Sequence, residues 1–475
     1  MLKKKNCFLI FLFSIIYFPI YAFVNKDSLI SDKSIITISE IKIIGNKRTK
    51  ESIIYRELAI KAGDQISLLN SKSLLKAERN KIFNINLFTV VTVTLDSIIN
   101  QKANVIINVK EQWYTIPAPI ISFADRNFNE WWFQRGRSLK RVNYGMRFYQ
   151  RNCRGRNETF KIIAQGGFTN QFEMSYDIPY LDKKQRLGMR FGGGYSNNKQ
   201  IAFATENHKL KFANIENFIR HNYKLGVSLR YRKGFFINHT FETQFYRNFI
   251  NDTVAKLNPD YFLNSNTFQQ YLGAKYGFVY DKRDVRQFAN KGTFIKIDFE
   301  HLGFLKSDDI NLTSISGTYS KYIPISKKIF LAHRFKLKAS APNLQPWTHF
   351  NSLGYSEDFV RGYWQYAIDG QHYVLLRNSF RYKFFSTIFD LKKYMPVNQF
   401  RSIPIDIYFN VFADGGYVSR TNPQVFSNQR LSNQLLTGTG VGLYIVTFYD
   451  SVVRFEYSLN HLNERTFSLG FISDI

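Results

Sequence analysis

The stretch Phe359-Val360-Arg361-Gly362-Tyr363 sets one arginine among apolar neighbours, inside a long polar connection of the C-terminal half. A guanidinium placed there is suited to enter a partly apolar space, and Gly362 permits the tight turn that would bring it in. Such a charge needs a partner. A carboxylate stands further on in Phe412-Ala413-Asp414-Gly415-Gly416, where it ends the alternating run Ile405 to Ala413. Desolvated, the two groups would pair bidentately; left in solvent, Arg361 would be an ordinary loop arginine. Other chemistry finds little support. The 8 histidines are scattered without an H-E-x-x-H, the 2 cysteines form no ligand motif, and Gly354-Tyr355-Ser356 lacks the second glycine of a nucleophile elbow. The expectation is therefore no catalytic residue, no cofactor and no metal.

The elements that would position this pair are strands. From Trp113 onward, helical periodicity gives way to alternation. Tyr223, Leu225, Val227, Leu229 and Tyr231 alternate with Lys224, Gly226, Ser228 and Arg230, and Val374, Leu376, Phe380, Tyr382 and Phe384 oppose Arg377, Ser379, Arg381 and Lys383. One face is apolar and the other charged, as in a membrane barrel with a polar lumen; a soluble sandwich would turn the charged face outward. Segmentation gives about sixteen strands, starting near residues 114, 141, 157, 170, 186, 219, 236, 268, 291, 311, 328, 371, 404, 437, 450 and 464. Alternate connections are long (124 to 140, 197 to 218, 249 to 267, 341 to 370 and 415 to 436) and the rest short, except for a stretch from about 386 to 403 that could be helical. Parity places Asp414 on the lumen face with Asp406 and Asn410. The next strand carries Gly438, Gly440 and Gly442 on one face, a costly row whose use would be clearance for an inserted segment. In the first strand, Pro117 and Pro119 each lack a ladder N–H. Both gaps are expected to face the last strand, around Gly470, as a weak lateral seam.

Composition agrees with this architecture. Aromatic residues reach 17%, the formal net charge is +29, and mean hydropathy is only −0.27. The basic residues are spread through strands and turns without a nucleic-acid-binding motif, so no nucleic-acid partner is expected; a basic lumen and lipid phosphates are the alternatives. Residues 1–22 read as a signal peptide, with Lys3-Lys4-Lys5 followed by the apolar run Phe8 to Tyr17, and 23–35 as a linker. An N-terminal anchor helix is the other reading. Cys7 lies in that segment, which leaves Cys153 alone in a mature chain. No later run of apolar residues is long enough for a spanning helix, so any crossing must use strands.

Residues 36–111 form a separate small unit. Ile36 to Ile44 reads as a strand, Gly45-Asn46 as a turn, and a helix capped at Thr49 carries Ile53, Ile54 and Leu58 on its apolar side. A second helix from Ser71 to Phe83 buries Leu74, Leu75 and Ile82, and strands Phe88 to Leu95 and Asn104 to Val109 complete a β-α-α-β-β order. An exposed edge of such a sheet can accept an added strand.

The V-R-G-Y loop followed by F-x-D-x-G at the end of a later strand resembles the BamA/TamA family of outer-membrane barrel proteins, and the small unit resembles their periplasmic POTRA module. The resemblance covers nearly the whole mature chain. It implies that the loop folds into the lumen, where Arg361 meets Asp414. Asp281-Lys282-Arg283-Asp284 before Gly292-Thr293-Phe294 is also family-like, without the usual proline. The ending from Ser468 to Ile475 partly matches an assembly signal, with Ser473 at an aromatic or apolar position. Arg381 stands where relatives carry a second lumen carboxylate, which makes Asp414 the expected sole strong counter-charge. The fold expected is thus mainly β: an antiparallel transmembrane barrel over 112–475, preceded by one periplasmic POTRA-like domain. The function implied is non-enzymatic assembly or translocation of client proteins at the bacterial outer membrane, without nucleotide. Partners would be unfolded outer-membrane or secreted clients, outer-membrane lipid and accessory lipoproteins. The alternatives are a two-partner-secretion-like transporter for a single client, and a passive pore.

Overall fold

The computed structural model describes residues 35–125, 130–214, 219–286, 288–355, 357–391, 402–420, 430–447 and 452–471. The expected signal peptide, most of the linker, Ser473 and Ile475 lie outside them.

The N-terminal unit is a four-stranded sheet with two helices. Strand β1 (Ile35–Ile44) leads through a turn to helix α1 (Glu51–Tyr55); β2 (Gln65–Ser67), helix α2 (Leu68–Phe83), β3 (Phe88–Leu95) and β4 (Lys102–Glu111) follow. The spatial order is β2-β1-β4-β3, with β1 parallel to β4 and the other pairs antiparallel. Ile36, Ile38, Ile53, Ile54, Ile82, Phe88, Val105 and Ile107 form the core. Four expectations need correction. The N-cap of α1 is Lys50, because the Thr49 hydroxyl is spent on Glu111, 2.7 Å away. α1 is a single turn that ends before Leu58, and α2 begins at Leu68, ahead of Ser71. The short edge strand β2 was hidden because three residues carry too little alternation to read.

Sixteen of the remaining strands make one antiparallel sheet. In chain order these are β5 (Thr115–Phe123), β6 (Val142–Cys153), β7 (Glu158–Gly167), β8 (Thr169–Ile178), β9 (Leu187–Asn198), β12 (Arg220–Lys233), β13 (Ile237–Ile250), β14 (Phe268–Asp281), β15 (Gly292–Leu302), β16 (Leu312–Pro324), β17 (Ile329–Ala341), β20 (His372–Asp390), β21 (Ser402–Ser419), β22 (Leu435–Val446), β23 (Val452–Asn460) and β24 (Arg465–Phe471). Each starts within two residues of its expected position. The hairpin β10 (Gln200–Glu206) and β11 (Lys209–Asn214), helix α3 (Asp252–Leu257) and the pair β18 (Asn351–Leu353) and β19 (Ile368–Asp369) lie inside the long connections, where the sequence read only loop. Residues 386–390 and 402–403 continue β20 and β21 as strand, and so correct the helical expectation there; 392–401 lie outside the described residues.

Alternation settles which face is which. Leu225, Leu229, Phe241, Phe299, Phe380 and Phe409 point outward and are exposed, whereas Arg377, Arg381, Asn410, Asp414 and Glu456 are buried inside. An outward apolar band around a polar interior is the pattern of a lipid-facing barrel. Among the described residues, no helix is long and apolar enough to cross a membrane, a test that does not bear on strands.

The N-terminal unit is held against the short turns at one mouth. Lys50 N–H donates to the Gly155 carbonyl at 3.0 Å, and Arg56 donates to the carbonyls of Gln185 and Gly234 at 3.0 and 3.1 Å. Arg232 forms a bidentate pair with Glu57 at 2.5 and 2.6 Å. At the opposite mouth the long loops tie to one another. His208 O accepts from Ala367 N–H at 2.8 Å, and the Ser432 hydroxyl donates to the Asp369 carbonyl at 2.9 Å.

Candidate functional site

The loop between β17 and β20, residues 342–371, descends from the long-loop mouth into the lumen and delivers Arg361 to β21. Arg361 is 2% exposed, which for a guanidinium demands that nearly every donor be met. Nε donates to Asp414 Oδ2 at 2.7 Å and Nη2 to Oδ1 at 2.6 Å, a bidentate pair. The backbone N–H of Arg361 adds a third bond to Oδ2 at 3.2 Å. Nη1 reaches the Ser379 and Tyr444 hydroxyls, each at 3.1 Å, and the guanidinium lies over the Phe412 ring at 3.9 Å. Glu456 Oε1 stands 3.9 Å from Nη1 and accepts from the Tyr444 hydroxyl at 2.6 Å. Asp414 is therefore not the sole counter-charge: a second carboxylate comes from β23, where Glu456 follows a run too short to assign a partner by sequence.

The neighbours of Arg361 fix the loop backbone. Val360 and Tyr363 are each 1% exposed. Gly362 adopts φ +100°, a region that a side chain would strain, and its carbonyl accepts from Asn460 Nδ2 at 3.0 Å. The Tyr363 hydroxyl bonds the Thr437 carbonyl at 3.3 Å and the His461 ring. Arg377, also buried, donates to the carbonyls of Phe359 at 3.0 Å and Glu357 at 2.7 Å. Sequence reading placed Ser379 on the polar face and Phe412 in the motif around Asp414 without giving either a contact to Arg361, and it missed Tyr444, Glu456 and Asn460. Their lumen parity was readable, but their meeting depends on which strands the barrel brings together.

The glycine row serves the loop unequally. A Cβ at Gly438 would collide with the Arg361 carbonyl and crowd Val360. At Gly440 it would strike Phe412 and the opposite strand, and at Gly442 it would press on Tyr444. Clearance is thus direct at Gly438 and indirect at the other two, which make room for the side chains that grip Arg361. Gly416 does the same for Val360 and Leu353.

A second insert rises from the other mouth. The turn between β14 and β15, residues 282–291, carries Phe288 and Ala289 into the lumen, both buried. The Phe288 ring packs against Tyr408 with centroids 4.8 Å apart, and Arg381 lies over it at 4.1 Å while donating to the Ala289 carbonyl at 2.9 Å. Asn290 Nδ2 donates to the Tyr408 hydroxyl at 3.0 Å. At the root of the turn Asp281 pairs with Arg283 at 2.8 Å and with Arg286 at 3.2 Å. Arg381 therefore has a role of its own, remote from Asp414. Among the described residues no cluster of three or more His, Cys, Asp or Glu side chains could hold a metal.

Pro117 and Pro119 face outward on β5, opposite Phe148 and Met146. Arg151 N–H donates to Tyr114 O and Ala124 N–H to Arg141 O, so the even-numbered residues of β5 bond β6. The nitrogens of both prolines consequently point away from β6, toward the free side of β5. Among the described residues no ladder joins β5 to β24, and Gly470 on β24 lies beside the Arg454 guanidinium, 3.3 Å from an added Cβ.

These features match known families. The profile described as "Omp85 superfamily domain" matches residues 152–447, more than half of the chain. The chain belongs to the Omp85 superfamily. The POTRA profile, "Surface antigen variable number repeat", matches residues 36–112 of this Omp85 protein. Among solved structures, BamA from Haemophilus ducreyi lacking POTRA domains 1–3 is similar at 14% identity and a TM-score of 0.52, over 92% of this chain and 84% of that one. CdiB from Escherichia coli is similar at 12% identity and a TM-score of 0.54, over 92% and 75%. At such identities the likeness is one of fold. No curated protein matches the sequence.

Proposed function

We propose that this Omp85 protein is an outer-membrane assembly factor that folds and inserts client polypeptides, or helps them cross, without nucleotide and without catalysing a covalent reaction. The N-terminal domain would lie in the periplasm. The observation that carries the reading is a lumen entered from both mouths by inserts that pack on one wall, in a sheet whose terminal strands share no ladder among the described residues. A passive pore gains nothing from the buried Arg361–Asp414 pair, whereas a protein that must reshape its own wall can use a loop held by a few strong, reversible contacts. The edge strand β3 supplies a place where a client strand could add by backbone pairing, and the missing donors at Pro117 and Pro119 would weaken the closure of the barrel at β5 so that this edge can open. Unfolded outer-membrane or secreted proteins, outer-membrane lipid and accessory lipoproteins are the partners this reading requires.

A transporter dedicated to one secreted client is the second reading. It is favoured by a cavity of about 1460 Å³ between the N-terminal domain and the barrel, which adjoins a lumenal space of about 270 Å³ at Arg230 and Thr240. Depletion separates the two. Loss of a general assembly factor should lower many outer-membrane barrels at once in quantitative proteomics, and loss of a transporter should remove one secreted protein. Unchanged levels of every outer-membrane and secreted protein would contradict both.

A further inference from the structure

The 1460 Å³ cavity has a chemistry of its own. Its floor is one face of α2, where Ser73, Lys76, Ala77, Asn80 and Lys81 recur at helical spacing, continued by Asn84 at the helix's C-cap. The turns of the barrel mouth form its roof. Nine Lys and Arg side chains line it against three carboxylates, Glu57, Asp281 and Asp284.

Those carboxylates are already engaged. Glu57 holds Arg232, Asp281 holds Arg283 and Arg286, and Asp284 accepts backbone N–H groups from Val285, Asn290 and Lys291. Lys81 pairs with Glu78 at 2.7 Å and Arg230 with Asp177 at 3.0 Å. Lys76, Lys282, Lys291 and Lys321 are left without a carboxylate partner among the described residues, and the first three are exposed to the cavity. Walls of this kind concentrate anions.

We propose that this cavity is a binding site for an acidic segment of polypeptide, whose Asp and Glu side chains are received by Lys76, Lys282, Lys291 and Lys321. A polypeptide fits better than a lipid headgroup for two reasons. The cavity lies between the N-terminal domain and the inside of the barrel, and it adjoins the lumenal space at Arg230 and Thr240, where an extended chain can continue. It also exceeds the size usual for small-molecule pockets and offers apolar contact at Ala77, Phe235 and Phe236 beside the charges. This deepens the client-handling function proposed above, in either of its two readings, and rests on it, because it says which part of a client is received first.

The test uses two fluorescent peptides of one framework, one with four Asp residues and the other with Asn in their place, added to the full-length protein in nanodiscs. The Asp peptide should bind at least tenfold more tightly, lose affinity as salt rises, and cross-link to a photoreactive residue at position 77. The triple variant Lys76→Gln, Lys282→Gln, Lys291→Gln should weaken it about tenfold while the folded barrel keeps its heat resistance on gels. Equal affinity for the two peptides, or no effect of the triple variant in folded protein, would overturn the proposal. So would preferential occupancy by glycerophosphoglycerol that the Asp peptide cannot displace. Client assembly in liposomes is measured in parallel: discrimination without assembly upholds the site and defeats the assembly reading, and assembly without discrimination defeats the site alone.

Discussion

The Phe288 ring stands edge-on to that of Tyr444, with centroids 6.4 Å apart and planes at 85°. The insert from one mouth thus meets the residue whose hydroxyl receives Arg361 from the other. Two segments far apart in the chain close the lumen against the same wall, built from β20, β21 and β22.

Removing either member of the Arg361–Asp414 pair leaves the other charge buried, and such losses cost about 3–5 kcal/mol. Asp414→Ala and Arg361→Ala should each lower the heat resistance of the folded barrel on gels and expose the 342–371 loop to protease. Unaltered cleavage of that loop in both variants would show that the pair does not hold it.

The second insert predicts a gating difference. Phe288→Ala removes a buried ring, a loss of about 3–5 kcal/mol for a packed site, and should loosen the 282–291 turn. Because the upper loop still blocks the lumen, ion conductance in planar bilayers should rise little in Phe288→Ala alone and strongly when it is combined with Asp414→Ala. Full conductance in the single variant would show that the lower insert seals the lumen unaided.

Acid should loosen the cap of long loops. His208 Nε2 accepts from Leu431 N–H at 3.1 Å, and burial pushes its pKa down to about 4 from an ordinary value near 6.5. Between those values the unfolded loop binds more protons than the folded one, so this contribution is present above pH ~6.5 and is lost as pH falls toward ~4. Protease cleavage within 199–219 should therefore increase from pH 7.5 to pH 5, with Arg430 adding to the repulsion. His208→Gln should flatten the dependence; an identical pH profile in that variant would assign the effect elsewhere.

Strand positions and faces were legible because lipid on one side and a polar lumen on the other impose strict alternation. The Arg361–Asp414 pairing was legible as two short motifs. Tyr444 and Glu456 were not, since a lumenal Tyr and Glu carry no mark of which inserted segment they meet. The insert at Phe288 was likewise hidden: its turn reads as a solvated connection, and only the neighbouring rings of Tyr408 and Tyr444 explain an aromatic residue there. Charge composition was readable from the start, but its concentration at one mouth depends on how the N-terminal domain docks.

Deletion of residues 36–110 should leave a barrel that folds and inserts but no longer handles clients, since the edge strand β3 and the floor of the basic cavity are lost together. Heat modifiability on gels reports the barrel, and assembly of an unfolded client in liposomes reports the function. Full client assembly by the truncated protein would show that the N-terminal domain is dispensable.

The seam between β5 and β24 is where the account is most exposed. Two absent proline donors remove bonds worth on the order of 1 kcal/mol each, and this edge should open for a client strand. The decisive measurement is client assembly in nucleotide-free proteoliposomes by a Cys153→Ser protein carrying cysteines in place of Ile121 and Leu469, which both face outward. Oxidation should stop assembly and reductant should restore it; undiminished assembly by the fully cross-linked protein would contradict the account.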